Sequence, residues 1–225
     1  MTTLVNIYER RFILYPLFLK ASEEKQRNII NAALREFSIH SYDTASTNKI
    51  VKEAGISKGI LFHYFGNKKN LYLYLYEYVL DTYAAATFET LDLAEPDIFK
   101  RFRQLFSLQR NLVQQNPAFF NFINMVSIER SVAVANELEQ LNNTKQNYSY
   151  EKFLSGIDYS LFKEEVDVTY ALDTIKWVLE GISNRYDQQF KDASHDMQEF
   201  NQLLDQVARE IENYFHFLKS LLYTK

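Results

Sequence analysis

Glycine and proline are scarce in this chain, and their scarcity limits what it can fold into. The 225 residues include 5 Gly and 3 Pro. A β-sandwich or a doubly wound α/β chain of this size needs many more turns than these residues can supply. Few turns imply long elements, so helices are expected. Three of the five glycines, Gly55, Gly59 and Gly66, lie within twelve residues of one another, which indicates one specialised turn region.

Composition and missing motifs narrow the class of protein. No glycine-rich phosphate-binding pattern and no nucleophile elbow is present, and the absence of Cys excludes disulfides and thiolate chemistry. His195 and Glu199 stand four residues apart, but two ligands do not make a metal site. Glu164, Glu165 and Asp167 are interpreted as a solvated helix boundary. We therefore expect no cofactor, no metal and no enzymatic activity.

The first twenty residues do not have the order of a signal peptide. Glu9, Arg10 and Arg11 interrupt the apolar stretch, and no small-residue cleavage site follows it. No apolar run is long enough to span a bilayer. We expect a cytoplasmic protein with an amino-terminal extension over residues 1–21. That extension could be a docking arm, a small amphipathic cover over the next domain, or an upstream start that adds little.

Charge divides the chain into two parts. Residues 1–69 hold 11 basic and 6 acidic side chains, a net charge of +5, and the remainder holds 14 basic and 23 acidic, a net charge of -9. A basic head on an acidic body indicates that the head meets a polyanion while the body meets another partner.

The residues after the extension predict short helices joined by tight turns. Ser22, Ser46, Ser57 and Asn67 can each cap a helix, because their side-chain oxygens accept backbone N–H groups of the first turn. Gly55 supplies the left-handed residue that ends the second helix, and a single residue separates it from the next cap. Two short helices joined in this way, with a longer helix behind them, form a helix-turn-helix.

The third of these helices is expected to read DNA. Leu61 and Phe65 share its apolar face, which must turn inward. Gly59, Ile60 and His63 lie furthest from that face, and Lys58 sits in the first turn, where it can donate to guanine. Gly59 permits close approach of the backbone to DNA. His63 can reach a base or a phosphate.

Residues 22–72 resemble the DNA-binding domain of the TetR family of transcriptional repressors. The likeness is carried by an apolar first helix ending at Phe37, then Tyr42, Ala45-Ser46-Thr47, Ile50 to Gly59, Leu61, His63-Tyr64-Phe65 and Asn67-Lys68. The resemblance implies a homodimer that binds a pseudo-palindromic operator and is released by a ligand held in the carboxy-terminal helical domain. It implies DNA contacts at Ser46, Thr47, Asn48, Ser57, Lys58, Gly59, Phe62, His63, Tyr64 and Lys68. Family members often have Tyr at the position of Phe62, so a phosphate hydrogen bond is missing there.

The acidic body is predicted to be helical throughout. Its expected helices cover residues 68–90, 97–115, 117–129, 132–146, 150–162, 167–190 and 196–222. The last two carry broad apolar stripes, which can close the monomer core, pair with a second copy in the four-helix interface that the family implies, or do both. Gly181, inside the first of these two helices, predicts a close helix–helix approach.

Aromatic residues make up 16% of the chain, and an apolar or planar aromatic small molecule is the effector that such a body could hold. The candidates to line its cavity are Phe102, Phe106, Phe122, Met125, Tyr150, Tyr170 and Trp177.

These observations predict an all-α chain with a three-helix helix-turn-helix DNA-binding domain at residues 22–67. A helical ligand-binding and dimerisation domain follows at residues 68–225. The expected function is a ligand-responsive transcriptional regulator, a dimeric repressor of a double-stranded DNA operator. Two alternatives stay open, a helical enzyme acting on a hydrophobic substrate and a helical module that binds lipid or another hydrophobic ligand without binding DNA. An arrangement of a nucleophile with a nearby base would favour the enzyme, and liposome binding without DNA binding would favour the module.

Overall fold

The computed structural model describes residues 15–193 and 197–224. Its helices are α1 (Pro16–Leu19), α2 (Glu23–Phe37), α3 (Thr47–Glu53), α4 (Lys58–Phe65), α5 (Lys68–Thr90), α6 (Ile98–Gln115), α7 (Pro117–Ser127), α8 (Ala135–Leu154), α9 (Val168–Asp192) and α10 (Met197–Leu222). A 3-10 turn at Tyr159–Leu161 and an isolated bridge between Phe162 and Tyr223 are the other regular features of these ranges. The all-α prediction is confirmed. Residues 1–14 of the predicted extension, and His195, lie outside the described residues.

The chain packs as two compact units. The first comprises the residues up to Tyr83 together with Asn116–Asn147, and the second comprises Ala84–Gln115 and the residues from Tyr148 onward. The division passes through α5 and α8, so each of these helices contributes to both units. The predicted boundary after residue 67 marks the end of the helix-turn-helix and stays a prediction about function.

Ring contacts hold the first unit together behind the helix-turn-helix. Phe37 of α2 is fully buried and lies 4.8 Å from Tyr72 of α5 and 6.4 Å from Phe122 of α7, measured between ring centroids. Tyr72 and Phe122 also meet edge-on at 5.5 Å. Such tilted and edge-to-face pairs add to the energy of apolar burial. They fix α2, α5 and α7 to one another.

The capping residues predicted from sequence are confirmed. The side-chain oxygens of Ser22, Ser46, Ser57 and Asn67 each accept the backbone N–H group three residues later, at 3.4, 3.4, 3.2 and 2.8 Å. Each bond satisfies one of the N–H groups that a helix start leaves without an intrahelical partner.

The second unit is built around a buried arginine that sequence reasoning did not single out. All five N–H groups of Arg101 donate to backbone carbonyls. Nη1 donates to Phe153 and Ser155 at 2.6 Å each, Nη2 to Leu93 at 2.8 Å and to Glu95, and Nε to Glu95 at 3.0 Å. Two of these carbonyls lie at the end of α8, where the helix dipole is negative. Burial lowers the pKa of the guanidinium from its ordinary value.

Two predicted helices are wrong in their bounds. The expected helices at 132–146 and 150–162 are one continuous helix, Ala135–Leu154, because no residue between them breaks helical geometry. The chain turns instead at Gly156, whose φ is +74°. A Cβ at that position would lie 3.1 Å from the carbonyl oxygen of Leu93, so both the backbone angle and the space require glycine.

The apolar stripes of α9 and α10 close the core of the second unit. Ile175 of α9 and Phe215 and Leu218 of α10 are buried in one cluster, and Ile182 is buried in another. No heavy atom of the described residues lies within 4 Å of a Cβ added at Gly181, outside its own helix backbone and its neighbours. The predicted close approach at Gly181 is therefore not made inside the described part of the chain.

No helix over the described residues is both long enough and apolar enough to cross a membrane.

Candidate nucleic-acid interface

The turn between α3 and α4 has the geometry predicted from Gly55. Its φ is +67°, and its N–H group donates to the carbonyl of Lys52 at 3.4 Å. The N–H group of Ile56 donates to the carbonyl of Val51 at 3.0 Å. These two bonds form the Schellman arrangement that ends a helix and reverses the chain at once. The turn therefore fixes the direction of α4 relative to α3, because a single residue, Ile56, separates Gly55 from the next cap, Ser57.

The recognition helix α4 turns its apolar face inward and presents its predicted DNA-reading side outward. Leu61 and Phe65 are 0% and 2% exposed, as predicted. Ile60 and His63 are exposed on the opposite side with Gly59 between them, Lys58 is exposed in the first turn, and Phe62 and Tyr64 are half-buried. The structure therefore places Gly59 and His63 on the side of α4 opposite its buried face, whereas Phe62 and Tyr64 lie on its flanks and Tyr64 packs against Phe18.

A buried carboxylate positions the start of α3. Glu36 at the end of α2 is 8% exposed, and its Oε1 accepts the backbone N–H group of Ser46 at 2.7 Å. The Ser46 hydroxyl oxygen caps the helix, which leaves its O–H group available as a donor. Thr47 and Asn48 follow in the first turn, half-buried and exposed respectively. The start of α3 is thus held in place and carries hydroxyl and amide donors, which are groups that bind phosphate oxygens.

The ammonium of Lys68, a predicted phosphate contact, already makes contacts within the protein. Its Nζ donates to the backbone carbonyl of Asp43 at 3.2 Å and lies 4.9 Å from the ring centroid of Tyr42. Burial lowers the pKa of its ammonium. An ammonium has three donors, so the bond to Asp43 leaves two for an anion.

Glu129 ties the loop before α3 to the loop between α7 and α8. We call this set of bonds the Glu129 clasp. One carboxylate oxygen accepts the N–H group of Tyr42 at 2.6 Å, and the other accepts the N–H groups of the two following residues at 2.9 and 2.8 Å. The hydroxyl of Ser131 donates to the Asp43 carboxylate at 2.9 Å. Burial raises the pKa of Tyr72, and its hydrogen bond to Glu129 raises it further.

Positive charge dominates the exposed side of α3 and α4. Its exposed cations are Lys49, Lys52 and Lys58. The acidic side chains nearby are engaged within the unit: Glu53 pairs with Arg35, and Glu36 accepts the N–H group described above. The charge segregation predicted from sequence therefore extends to the surface of this helix pair, where it favours an anionic partner.

The seven predicted ligand-cavity residues belong to two different units. Phe122 is buried and Met125 half-buried in the first unit, whereas the other five lie in the second. Phe102 and Phe106 stack with centroids 6.0 Å apart, and the Tyr150 ring lies 5.8 Å from Nζ of Lys176. In contrast, Tyr170 and Trp177 are 71% and 64% exposed on the outer side of α9, so they do not line the interior of their unit. Their helix buries the opposite face.

The described residues contain no group of three or more His, Cys, Asp or Glu side chains that could hold a metal ion. The pair of His195 and Glu199 lies partly outside those residues.

Comparisons with known proteins bear on the same segment. Residues 29–75 match the family model described as bacterial regulatory proteins, tetR family. The HTH-type transcriptional regulator HbdR of Aromatoleum sp. strain CIB is 39% identical over 64 residues, which is 28% of this chain and 28% of that protein. The HTH-type transcriptional regulator YuxN of Bacillus subtilis strain 168 is 27% identical over 164 residues, which is 73% of this chain and 54% of that protein. The matches span less than two thirds of the length of either relative.

A solved structure shares the fold over nearly the whole chain. The crystal structure of a TetR family transcriptional regulator from Chloroflexus aurantiacus J-10-FL superimposes with a TM-score of 0.62 at 22% sequence identity, covering 93% of this chain and 98% of that one. The segment matched by the family model contains the capped α3 and α4, the Gly55 turn and the outward side of α4. Residues 29–75 of this chain therefore carry the DNA-binding domain of the TetR family of bacterial regulatory proteins.

Proposed function

We propose that this chain is a cytoplasmic repressor of transcription that binds a double-stranded DNA operator as a homodimer and is released by a small molecule. The recognition helix α4 enters the major groove of each half-site. Two copies place their recognition helices about one DNA turn, roughly 34 Å, apart. The start of α3 and Lys68 bind phosphates on either side of that groove.

The observation that carries the proposal is Gly59 on the outward side of α4. Glycine inside a helix is less favourable than alanine by about 1 kcal/mol. A Cβ at this position would meet only Oγ of Ser57, at 3.8 Å, and the backbone is not left-handed. The fold therefore does not require glycine there, whereas close approach of the backbone to a ligand does. Lys58 and His63 beside it provide the hydrogen-bond donors that base edges and phosphates accept.

Selection of binding sequences from random duplex DNA tests the proposal. We expect enrichment of an inverted repeat, and an affinity for it that falls steeply as salt rises, because phosphate contacts release bound counterions. Failure to enrich any sequence, together with a flat salt response, would contradict DNA reading. Binding to anionic liposomes without DNA binding would favour the lipid-binding alternative.

The Lys58→Ala variant refines that test. If Lys58 donates to guanine, its loss should cost about 1–3 kcal/mol of operator binding and relax base preference at one position of each half-site. Lys52→Ala is the matched control, because Lys52 is exposed on the last turn of α3. The control should keep the base preference of the wild type, and equal base preference in both variants would remove Lys58 from the reading surface. Competition binding against single-base operator variants measures this.

The proposed dimer uses the outer side of α9 and α10. Tyr170, Trp177 and Gly181 fall at helical spacings of seven and four, so they share one face of α9, and open space surrounds Gly181. On α10, Phe217 and Leu221 are 58% and 49% exposed, also four residues apart. Exposed apolar side chains beside a glycine that faces open space suit packing against a second copy of the same helix pair.

Trp177→Glu should convert the dimer to a monomer, because it places a carboxylate in the centre of the proposed apolar interface. Val132→Glu is the control: Val132 is 93% exposed in the first unit, and its replacement should leave assembly unchanged. Sedimentation equilibrium measures both. The same mass for Trp177→Glu and the wild type would place the interface elsewhere.

The proposed effector is an apolar or planar aromatic molecule that carries a hydrogen-bond acceptor. Among the described residues, the hydroxyl of Tyr83 and Nδ2 of Asn124 are buried without a hydrogen-bond partner. Buried polar groups normally have one, and ligand sites combine apolar walls with a few such groups. Burial raises the pKa of Tyr83 to about 12, so its hydroxyl remains a donor at neutral pH. Both groups are in the first unit, which also holds the helix-turn-helix.

A further inference from the structure

The segment that precedes the helix-turn-helix packs directly on the recognition helix. We call residues 15–21, which contain α1, the strap. Phe18 of the strap is fully buried, with its ring centroid 4.7 Å from that of Phe65 and 5.6 Å from that of Tyr64. Tyr15 is 8% exposed and lies 5.6 Å from Phe65. Of the three possibilities for the extension, residues 15–21 form the cover over the next domain.

Hydrogen bonds pin the strap at both ends. At its start, the hydroxyl of Tyr15 donates to the backbone carbonyl of Asn70, in the first turn of α5, at 3.3 Å. At its end, Nε2 of Gln26 in α2 donates to the carbonyls of Leu19 and Ala21 at 3.2 and 2.9 Å. The strap is therefore tied to α2 and α5, and Phe18 lies between these two attachments.

The recognition helix depends on packing to stay formed and in place. It has 8 residues, and isolated helices shorter than about 12–15 residues are marginal in water. Leu61 faces the core behind it, while Phe65 and Tyr64 in its last turn face the strap. Tyr74 of α5 completes the cluster, 5.2 Å from Phe18 and 5.3 Å from Phe65. The strap therefore covers the end of α4 that the rest of the helix-turn-helix leaves uncovered.

We propose that the strap is a positioning element of the DNA-reading head, and that Phe18 is its positioning residue. Phe18 fixes the angle of α4 through Phe65 and fixes the ring of Tyr64, so that Lys58 meets the groove while Tyr64 meets a phosphate. Phe18 touches no DNA itself. This inference rests on the proposed function, in which α4 reads the operator.

The test compares full-length Phe18→Ala, Phe18→Leu and Leu17→Ala on the duplex enriched by the wild type and on a scrambled duplex. Leu17 is the matched control, because it is the neighbouring strap residue and is 45% exposed. We expect Phe18→Ala to bind the enriched duplex more weakly by about tenfold or more, which corresponds to 1.4 kcal/mol, with little change on the scrambled duplex. Backbone hydrogen exchange in residues 58–65 should accelerate in the same variant. Leu17→Ala should match the wild type in both measurements.

The outcomes separate positioning from simple destabilisation. A loss of global stability alone leaves the affinity of the folded molecules unchanged on both duplexes, so it does not alter their ratio. If Phe18→Ala does not fold, Phe18→Leu keeps an apolar side chain in place and should fold with a smaller loss in the same ratio. Unchanged discrimination and unchanged exchange in a folded Phe18 variant would overturn the role of the strap while leaving DNA reading intact. A wild type that enriches no duplex would overturn both.

Discussion

Arg101→Met should lower the free energy of unfolding by about 3–5 kcal/mol. The side chain is 0% exposed and its five N–H groups serve four backbone carbonyls. Methionine fills a similar volume but donates nothing, so the carbonyls at the end of α8 and in the loop before α6 would be buried without partners. Urea unfolding followed by circular dichroism measures the change.

Arg103→Met provides the control two residues away on the same helix. Arg103 makes two parallel bonds to Glu212 at 2.7 Å each, but its side chain is 37% exposed. Solvent screens such a pair, and its loss should cost about 1 kcal/mol at most. Similar losses for both variants would mean that the carbonyls around Arg101 find other donors, and that the arginine does not hold the second unit together.

The parts of this fold that sequence predicts are those set by neighbouring residues. Ser46, Ser57 and Asn67 cap their helices as expected, because a cap depends on one side chain and the N–H group three residues later. Gly55 and its turn were predictable for the same reason, since a left-handed residue between two capped helices leaves few alternatives. The outward side of α4 follows from the positions of Leu61 and the other buried residues of that helix.

Contacts between distant residues were not predictable. Arg101 looks like a surface residue of an amphipathic helix, because charged side chains are rarely buried and no local signal marks the carbonyls that enclose it. The bond from Tyr42 to Glu129 joins residues 87 apart in the chain. Pro16 is a recognisable helix-start signal, but it does not indicate that Phe18, two residues later, is buried.

The exposed aromatic residues of α9 show a second limit. Trp177 and Tyr170 are large aromatic residues, which favours burial, and for that reason sequence predicts them in a ligand cavity. The positions of Ile175 and Ile182 instead place the buried face on the other side of the helix. One sequence contains both faces, and hydrophobicity alone does not distinguish a monomer core from a surface that meets a second copy.

Glu129→Gln should lower both the free energy of unfolding and the proposed affinity for the operator. The carboxylate accepts three backbone N–H groups, one of them from Tyr42 in the loop that leads to α3. An amide would direct its NH₂ group at one or more of these donors, leaving them unsatisfied, at about 1–3 kcal/mol for each buried group. We expect a loss of about 2–3 kcal/mol in unfolding free energy by urea titration. Operator affinity should fall as well, because the loop from Tyr42 onward sets the position of Ser46 and the start of α3.

Glu137→Gln is the control that separates the loss of the Glu129 clasp from a change of net charge. Glu137 lies in the same unit and pairs with Lys69 at 2.6 Å, but its side chain is 42% exposed, so its replacement should leave stability and operator affinity close to wild type. Equal effects of the two variants would assign the loss to net charge rather than to the Glu129 clasp.

A weaker operator complex for Glu129→Gln alone would show that α7, α8 and the loop between them control where α3 sits. An effector bound in the first unit near Tyr83 or Asn124 would then have a physical route to the DNA-reading head, since α7 carries Asn124 and ends at the loop that holds Glu129.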